Sequence, residues 1–214
     1  MNFLFYFLLF FIYSVIGWFV EVTYVYIGTK KFINRGFLIG PYIPIYGYSA
    51  LIMALYLTQY KDNPLTVFLL AIFICTFIEY MISFNMEKLF NARWWDYSNS
   101  KFNINGRVCL KNGLGFGFLS LLLIYLINPW LVNLLEKLNP KLLIIISVIC
   151  LVIFVFDFVT SLIVTFDIKN KIKKFDSDST TEIRELINDK IKKKLLKRRV
   201  LNAFPRVKFL KFKK

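Results

Sequence analysis

The chain has 214 residues, of which 57% are hydrophobic and 19% are charged. This composition favours a membrane protein over an ordinary soluble domain, which has fewer apolar and more charged residues. The absence of histidine excludes histidine acid–base catalysis and histidine metal ligands. The three cysteines lie far apart without metal-ligand spacing, so we predict neither a metal site nor a cofactor.

The formal net charge of +15 is concentrated in the tail, since residues 167–214 hold 17 of the 28 Lys and Arg residues. A basic segment beside membrane spans favours anionic lipid headgroups as a partner, and nucleic acid is the less favoured one. We therefore divide the chain into a transmembrane helical domain, residues 1–166, and a basic cytoplasmic tail, residues 167–214.

Apolar stretches predict an all-α, polytopic transmembrane helix bundle of about five spans, each of which needs about 20 apolar residues. We predict these spans at Phe3–Ile27, Pro44–Tyr60, Pro64–Leu89, Gly113–Ile127 and Leu142–Phe166. The first is expected to be a retained helix, because its apolar run is too long for a signal peptide. The amphipathic segment Pro129–Leu138 either lies at the membrane interface or ends a bent fourth span.

Loop charges predict the orientation of the bundle. Lys and Arg residues are concentrated in the loop after the first span, in the loop after the third span and in the tail. The positive-inside rule places these three segments in the cytoplasm and the N-terminus outside. The odd-numbered spans then all run towards the cytoplasm.

Each odd-numbered span carries one acidic residue late in its length: Glu21, Glu79 and Asp157. The candidate partners nearest to them are arginines in the loops on the same side: Arg35, Arg93 and Arg107. Ionisable residues in spans are costly and usually face the bundle interior, so we predict a polar cluster that opens towards the cytoplasm. The alternative is that these ion pairs only lock the helices together. Glu79 shares one helical stripe with Ser83 and Glu87, four and eight residues later.

Residues 1–60 and 64–127 are weakly alike. Each half has an apolar helix with a late Glu, then a loop, then an Arg before the return helix. This pattern predicts a parallel repeat, an arrangement that places binding sites at the repeat interface in transporters. The alternative is a chance likeness between two generic helix pairs.

Two loops have unusual compositions. Residues 35–47 combine glycine, proline and tyrosine, and form either a re-entrant segment that lines a cavity or a loop with interfacial tyrosines. The other loop follows the third span, and its Trp94 and Trp95 are explained by an aromatic belt at the level of the headgroups. This belt does not explain the polar residues beside them, Asp96, Asn103, Asn105 and Arg107, of which Asp96, Asn105 and Arg107 are candidate site residues. The alternative is that part of this cluster only stabilises turns.

The tail contains a possible capping box, Ser179 with Glu182. The isoleucines that follow predict a basic amphipathic helix on the inner membrane surface, or a solvated helix that contacts a partner protein. The sequence has no P-loop, so any ATP-driven activity needs a separate ATPase subunit. The serine-hydrolase and zinc-protease motifs are also absent from the sequence.

Several motifs together carry a resemblance that covers nearly the whole chain. They are Gly17-Trp18 with Glu21, Asn34-Arg35-Gly36-Phe37-Leu38, Gly40-Pro41-Tyr42, Pro44-Ile45-Tyr46-Gly47, Glu79-Tyr80, Ala92-Arg93-Trp94-Trp95-Asp96-Tyr97-Ser98, Asn103-Ile104-Asn105-Gly106-Arg107-Val108-Cys109-Leu110 and Leu201-Asn202-Ala203-Phe204-Pro205. The chain resembles the bacterial family labelled putative ABC-transporter type IV, or CmpB-like. This resemblance implies a bacterial inner-membrane protein of the permease type, and it supplies no catalytic residues.

The sequence leaves three functional hypotheses. The first is a permease-type transporter component with a cytoplasm-facing polar cavity and a separate ATPase if ATP-driven. Its substrate-binding residues are expected to be Glu21, Arg35, Glu79, Arg93, Asp96, Asn105 and Arg107. The second is a membrane enzyme or lipid-handling protein that binds a phosphorylated lipid headgroup, for which arginine is suited. The third is a membrane scaffold whose basic tail recruits a partner.

Overall fold

The computed structural model describes residues 3–176, 195–204 and 207–209. The helices are α1 (Phe3–Thr29), α2 (Pro44–Tyr56), α3 (Pro64–Phe90), α4 (Leu110–Leu122), α5 (Asn128–Glu136), α6 (Pro140–Asp176) and α7 (Leu195–Ala203). The strands are β1 (Ala92–Arg93), β2 (Asn103–Ile104), β3 (Val108–Cys109) and β4 (Lys208–Phe209). The predicted all-α helix bundle is confirmed. The predicted capping box in the tail and the isoleucines of the amphipathic helix predicted after it lie outside the described residues. The division of the chain after residue 166 stays a prediction.

Four helical stretches of the described chain are long and apolar enough to cross a membrane. They are Phe3–Thr29, Pro64–Phe90, Leu110–Glu136 and Pro140–Asn170. The third joins α4 to α5 through a π-helical segment, Leu123–Ile127. Pro129 follows this segment and cannot donate a backbone hydrogen bond, which accounts for a wider turn there. Of the two alternatives for Pro129–Leu138, the structure therefore has the continuation of the fourth span.

The second predicted span is a shorter helix than expected. Helix α2 has 13 residues, followed by a 3₁₀ turn at Thr58–Tyr60. Thirteen helical residues extend about 20 Å, whereas the hydrocarbon core is about 30 Å thick. The chain before α2 instead runs back along α1 towards the N-terminal part of that helix, since the Ile43 amide donates to the Ser14 carbonyl at 2.9 Å. Ser14 lies seven residues deeper in α1 than Glu21, so the segment 36–43 reaches into the bundle.

The helices pack as two antiparallel pairs, α1 with α2 and α3 with α4. In the first pair the backbones approach closely at Gly17, where a Cβ atom would lie 2.2 Å from Cβ of Tyr46. The main apolar core lies between these pairs and α5, and includes Leu8, Leu57, Val67 and Leu131. A buried hydrogen bond from Tyr13 to Asn128, at 2.7 Å, crosses it.

A second apolar cluster lies where the chain leaves the spans. It joins Phe90, Trp94, Ile168 and Val200. Strand β4 pairs with β1 in antiparallel fashion, so that Ala92 faces Phe209 and Arg93 faces Lys208. The loop after α1, the loop after α3 and the C-terminal helix α7 therefore meet on one side of the bundle. We call this the loop side.

Candidate functional site

Glu21 forms an ion pair near the end of α1. The Arg35 guanidinium lies 3.2 Å from Oε1 of Glu21, and the Tyr46 hydroxyl donates to Oε2 at 3.0 Å. The close packing of α1 on α2 at Gly17 brings Tyr46 within reach of this carboxylate. Glu21 therefore has both a cationic and a neutral partner.

Glu79 lies deeper and has a different environment. It is buried, with 7% of its surface exposed, and Oε1 accepts a hydrogen bond from the Tyr97 hydroxyl at 3.2 Å. Burial raises the pKa of Tyr97 well above its ordinary value, and the carboxylates of Glu79 and Glu21 raise it further. Tyr97 therefore remains a protonated donor to Glu79.

Glu87 binds two of the predicted arginines. Arg93 Nε donates to Oε2 of Glu87 at 2.9 Å, and Arg107 Nη2 donates to Oε1 at 2.9 Å. Arg107 is buried and its Nη1 lies 3.4 Å from the Ser83 hydroxyl. The stripe formed by Glu79, Ser83 and Glu87 on α3 therefore faces the loop that follows α3.

The β2–β3 hairpin and the chain before it position these arginines. The Tyr97 amide donates to the Gly106 carbonyl at 2.7 Å, and Trp95 Nε1 donates to the Arg107 carbonyl at 2.9 Å. Gly106 has a φ of 66°, a backbone angle that favours glycine. The Asn103 side chain accepts from the Gly106 amide at 2.9 Å. These bonds fix Tyr97 and Arg107 against α3.

Asp96 and Asn105 lie in the same loop, where Asn105 is exposed and Asp96 is partly buried. Asp96 Oδ1 accepts from the Ser98 amide at 3.0 Å and lies 4.0 Å from Arg93 Nη1. Asn105 Nδ2 donates to the Tyr80 hydroxyl at 2.9 Å. Both residues therefore connect the loop to itself or to α3 in this conformation.

Asp157 on α6 binds the loop that precedes α2. Its carboxylate accepts hydrogen bonds from two backbone amides, Ile39 at 2.8 Å and Gly40 at 2.7 Å. It also accepts from the hydroxyls of Tyr42, at 2.6 Å, and Ser161, at 3.0 Å. Irregular backbone within a membrane bundle needs internal partners for its amides, and Asp157 supplies them.

The structure brings together only some of the residue pairs expected from the sequence. Arg35 does pair with Glu21. Within the part of the chain that the structure describes, the partner of Glu79 is Tyr97 and not an arginine. Arg93 and Arg107 converge on Glu87 instead.

Three residues of this region were missed as candidates from the sequence: Glu87, Tyr46 and Tyr97. The sequence does place Glu87 on the same helical stripe as Glu79, eight residues later, and this spacing was the signal that could have made Glu87 a candidate. The tyrosines carried no such signal, since tyrosine is common near membrane interfaces for reasons unrelated to function.

The described residues contain no group of three or more acidic or cysteine side chains that could hold a metal ion. What the site offers is a set of carboxylates, hydroxyls and guanidinium groups within or beside membrane spans. Such groups bind protons, cations or polar solutes, and ionisable residues in spans commonly lie on substrate or ion pathways.

Four apolar helices of spanning length around this buried polar network define an integral membrane protein of the polytopic helical class. The family model described as Putative ABC-transporter type IV (CmpB) matches residues 8–162, and the chain belongs to this family. This confirms the resemblance carried by the sequence motifs. No curated protein and no solved structure matches the chain.

Proposed function

We propose that the protein is a permease-type component of an ABC-transporter-type system, with a polar cavity that faces the cytoplasm. The family description and the apolar helices support this proposal. The residues proposed to bind substrate are Glu21, Arg35, Glu79, Arg93, Asp96, Asn105 and Arg107. Because the sequence lacks a P-loop, ATP hydrolysis would come from a separate ATPase subunit.

The observation that carries the proposal is the environment of Glu79. A carboxylate in a span is costly, and it usually has a charged partner when its role is only to hold helices together. Glu21 has such a partner in Arg35, whereas the partner of Glu79 among the described residues is the neutral hydroxyl of Tyr97. Glu79 is therefore the residue suited to take up a proton or the cationic group of a solute.

The membrane setting follows from charge. The loop side is the cytoplasmic side of a bacterial inner membrane, because its loops and the tail carry most of the Lys and Arg residues. Anionic headgroups interact with the tail. The N-terminus lies outside, and the ATPase subunit binds on the loop side.

The lipid-handling alternative is less well supported. A phosphorylated headgroup would need the guanidinium groups of Arg93 and Arg107 to leave Glu87, which they both bind at 2.9 Å. A phosphate would have to displace a carboxylate that makes charge-assisted hydrogen bonds with both of them. The permease proposal depends first on Glu79, whose partner is a neutral hydroxyl, and does not require these ion pairs to break.

The test compares cells that contain the intact chain, the Glu79→Gln variant or no chain, with solute contents measured by mass spectrometry. We expect at least one solute to accumulate only with the intact chain. Its accumulation should fall about tenfold or more in Glu79→Gln, since the amide keeps the shape but cannot exchange a proton. The matched control is Glu136→Gln, the same change at an exposed position.

Two results would contradict the proposal. Normal accumulation in Glu79→Gln, at equal amounts of protein in the membrane, would remove Glu79 from the transport path. Identical solute contents with and without the chain would reject the permease function and favour a scaffold role.

A further inference from the structure

The C-terminal helix α7 bridges the two loops that border the site. Arg199 donates to the carbonyls of Gly36 and Phe37, at 3.2 and 3.3 Å. Phe204 packs edge-on against Trp94 of the other loop, with ring centroids 4.8 Å apart. Strand β4 then pairs with β1. The C-terminal segment thus lies across the loop side and contacts both halves of the bundle.

The segment also contacts site residues directly. Arg35 donates to the Ala203 carbonyl at 2.5 Å while its other nitrogens bind Glu21. The Phe204 ring lies 5.7 Å from the same guanidinium. One arginine therefore joins the ion pair of the site to the segment that covers it. A displacement of α7 would remove two of the contacts that hold Arg35 on Glu21.

Arg93 is shared in a similar way. Its side chain binds Glu87, whereas its backbone pairs with Lys208 of β4. The covered surface is buried, since Ala92 and Ala203 have no exposed surface and Trp94 has 5%. Solute approaching from the loop side between these two loops would meet the C-terminal segment first.

The contact made by Arg199 is of a kind that can be released. Burial lowers the pKa of its guanidinium, and the acceptors of its hydrogen bonds are neutral carbonyls. Its Nε is buried without a hydrogen-bond partner among the residues that the structure describes. Undocking of α7 would break these two hydrogen bonds, but it would also return the guanidinium to water, and rehydration of the buried cation would offset part of the loss.

We propose that the C-terminal segment, α7 with Phe204 and β4, is a gate that closes the loop side over the site formed by Glu21 and Glu79. This inference rests on the proposed function, because it assumes that solute passes through that site. In the closed state, Arg199 and Phe204 hold the two loops together. In the open state, the segment leaves both loops and Arg35 loses its contact with Ala203.

The test measures access to the site without any substrate. The buried Ser83 beside Arg107 is changed to cysteine (Ser83→Cys) in a full-length chain whose native cysteines, Cys75, Cys109 and Cys150, are replaced by alanine. Membrane vesicles with the loop side outwards are treated with a membrane-impermeant maleimide. We expect labelling of this position to be slow in the parent and at least tenfold faster after Arg199→Ala with Phe204→Ala. The control Asn202→Ala, exposed on the same helix, should leave the rate unchanged.

A disulfide lock covers the case in which the double variant fails to fold. Ala92 and Phe209 face each other across β1 and β4, at a spacing that suits a disulfide in an antiparallel pair. Ala92→Cys with Phe209→Cys should crosslink and slow the labelling of Ser83→Cys, which is read from its own peptide by mass spectrometry. Reduction should restore the parent rate at that position. Failure to crosslink, or equal labelling in the locked and reduced forms, would overturn the gate. A folded Arg199→Ala, Phe204→Ala variant with parent-like labelling would do the same.

These results separate the gate from the proposed function. Labelling reports only on access, so a faster rate in the double variant supports the gate even where Glu79→Gln leaves solute contents unchanged. The converse result is that accumulation is lost in Glu79→Gln while the Arg199→Ala, Phe204→Ala variant is labelled at the parent rate. That result would support transport and reject the gate.

Discussion

The Tyr97 hydroxyl donates to the buried carboxylate of Glu79 across 3.2 Å, which joins the loop after α3 back to the middle of that helix. The two residues are 18 positions apart in the chain. The bond gives a carboxylate in a membrane span a donor without neutralising its charge. Glu79 is thereby held in a defined position while it keeps its capacity to bind a proton or cation.

Tyr97→Phe should destabilise the protein and weaken the proposed transport. The change removes only the hydroxyl, so the Glu79 carboxylate stays buried without its donor, at a cost of about 1–3 kcal/mol. The free energy of unfolding, or the thermal midpoint in detergent, measures this. Tyr24→Phe removes a hydroxyl from an exposed ring of α1 and should have no effect. Equal stability of the two variants would mean that the bond to Glu79 contributes nothing.

Asp157→Asn should loosen the loop that precedes α2. The new amide presents a donor where the carboxylate accepts from the amides of Ile39 and Gly40, and charge-assisted bonds of this kind contribute about 1.5–3 kcal/mol each. We expect a lower thermal midpoint and faster proteolysis within residues 30–43. Asp62→Asn, at an exposed loop position, is the matched control. Unchanged proteolysis in Asp157→Asn would show that the loop is held by other contacts.

Gly17→Ala should separate α1 from α2. The added Cβ would lie 2.2 Å from Cβ of Tyr46, and overpacking of this kind costs about 1–3 kcal/mol. The shift would also move the Tyr46 hydroxyl away from Glu21. Gly28→Ala on the same helix meets no atom within 4 Å and should be neutral or slightly stabilising. The thermal midpoints of the Gly17→Ala and Gly28→Ala variants in detergent test this prediction. Similar midpoints would exclude a close approach of the helices at Gly17.

Gly106→Ala should disrupt the β2–β3 hairpin. A side chain at a φ of 66° costs about 1–2 kcal/mol, and the new Cβ would lie 2.4 Å from the Ser98 hydroxyl. We expect lower stability and weaker positioning of Arg107. Gly115→Ala in α4, where no atom lies within 4 Å, provides the comparison. The prediction fails if both variants unfold at the same temperature as the parent.

Individual helices and ion pairs show which parts of the fold and the site can be predicted from the sequence. Runs of about 20 apolar residues predicted α1, α3 and α6 correctly, because such runs are stable as spanning helices whatever their neighbours. The length of α2 was overestimated, since Pro44 and Tyr60 bound an apolar stretch whose last residues form a 3₁₀ turn. The sequence pointed to Glu21 with Arg35, but it offered no means of assigning Arg107 to Glu87 rather than to Glu79.

The sequence by itself determined the class of protein, the family and the approximate positions of the acidic residues along their helices. These follow from apolar run length, charge distribution and linear motifs, which are local properties of the chain. Only the tertiary structure decided which carboxylate binds which donor, that Asp157 binds loop amides, and that α7 lies across both loops. The physical reason is that these contacts join residues up to 168 positions apart, and their geometry depends on how the helices pack against one another.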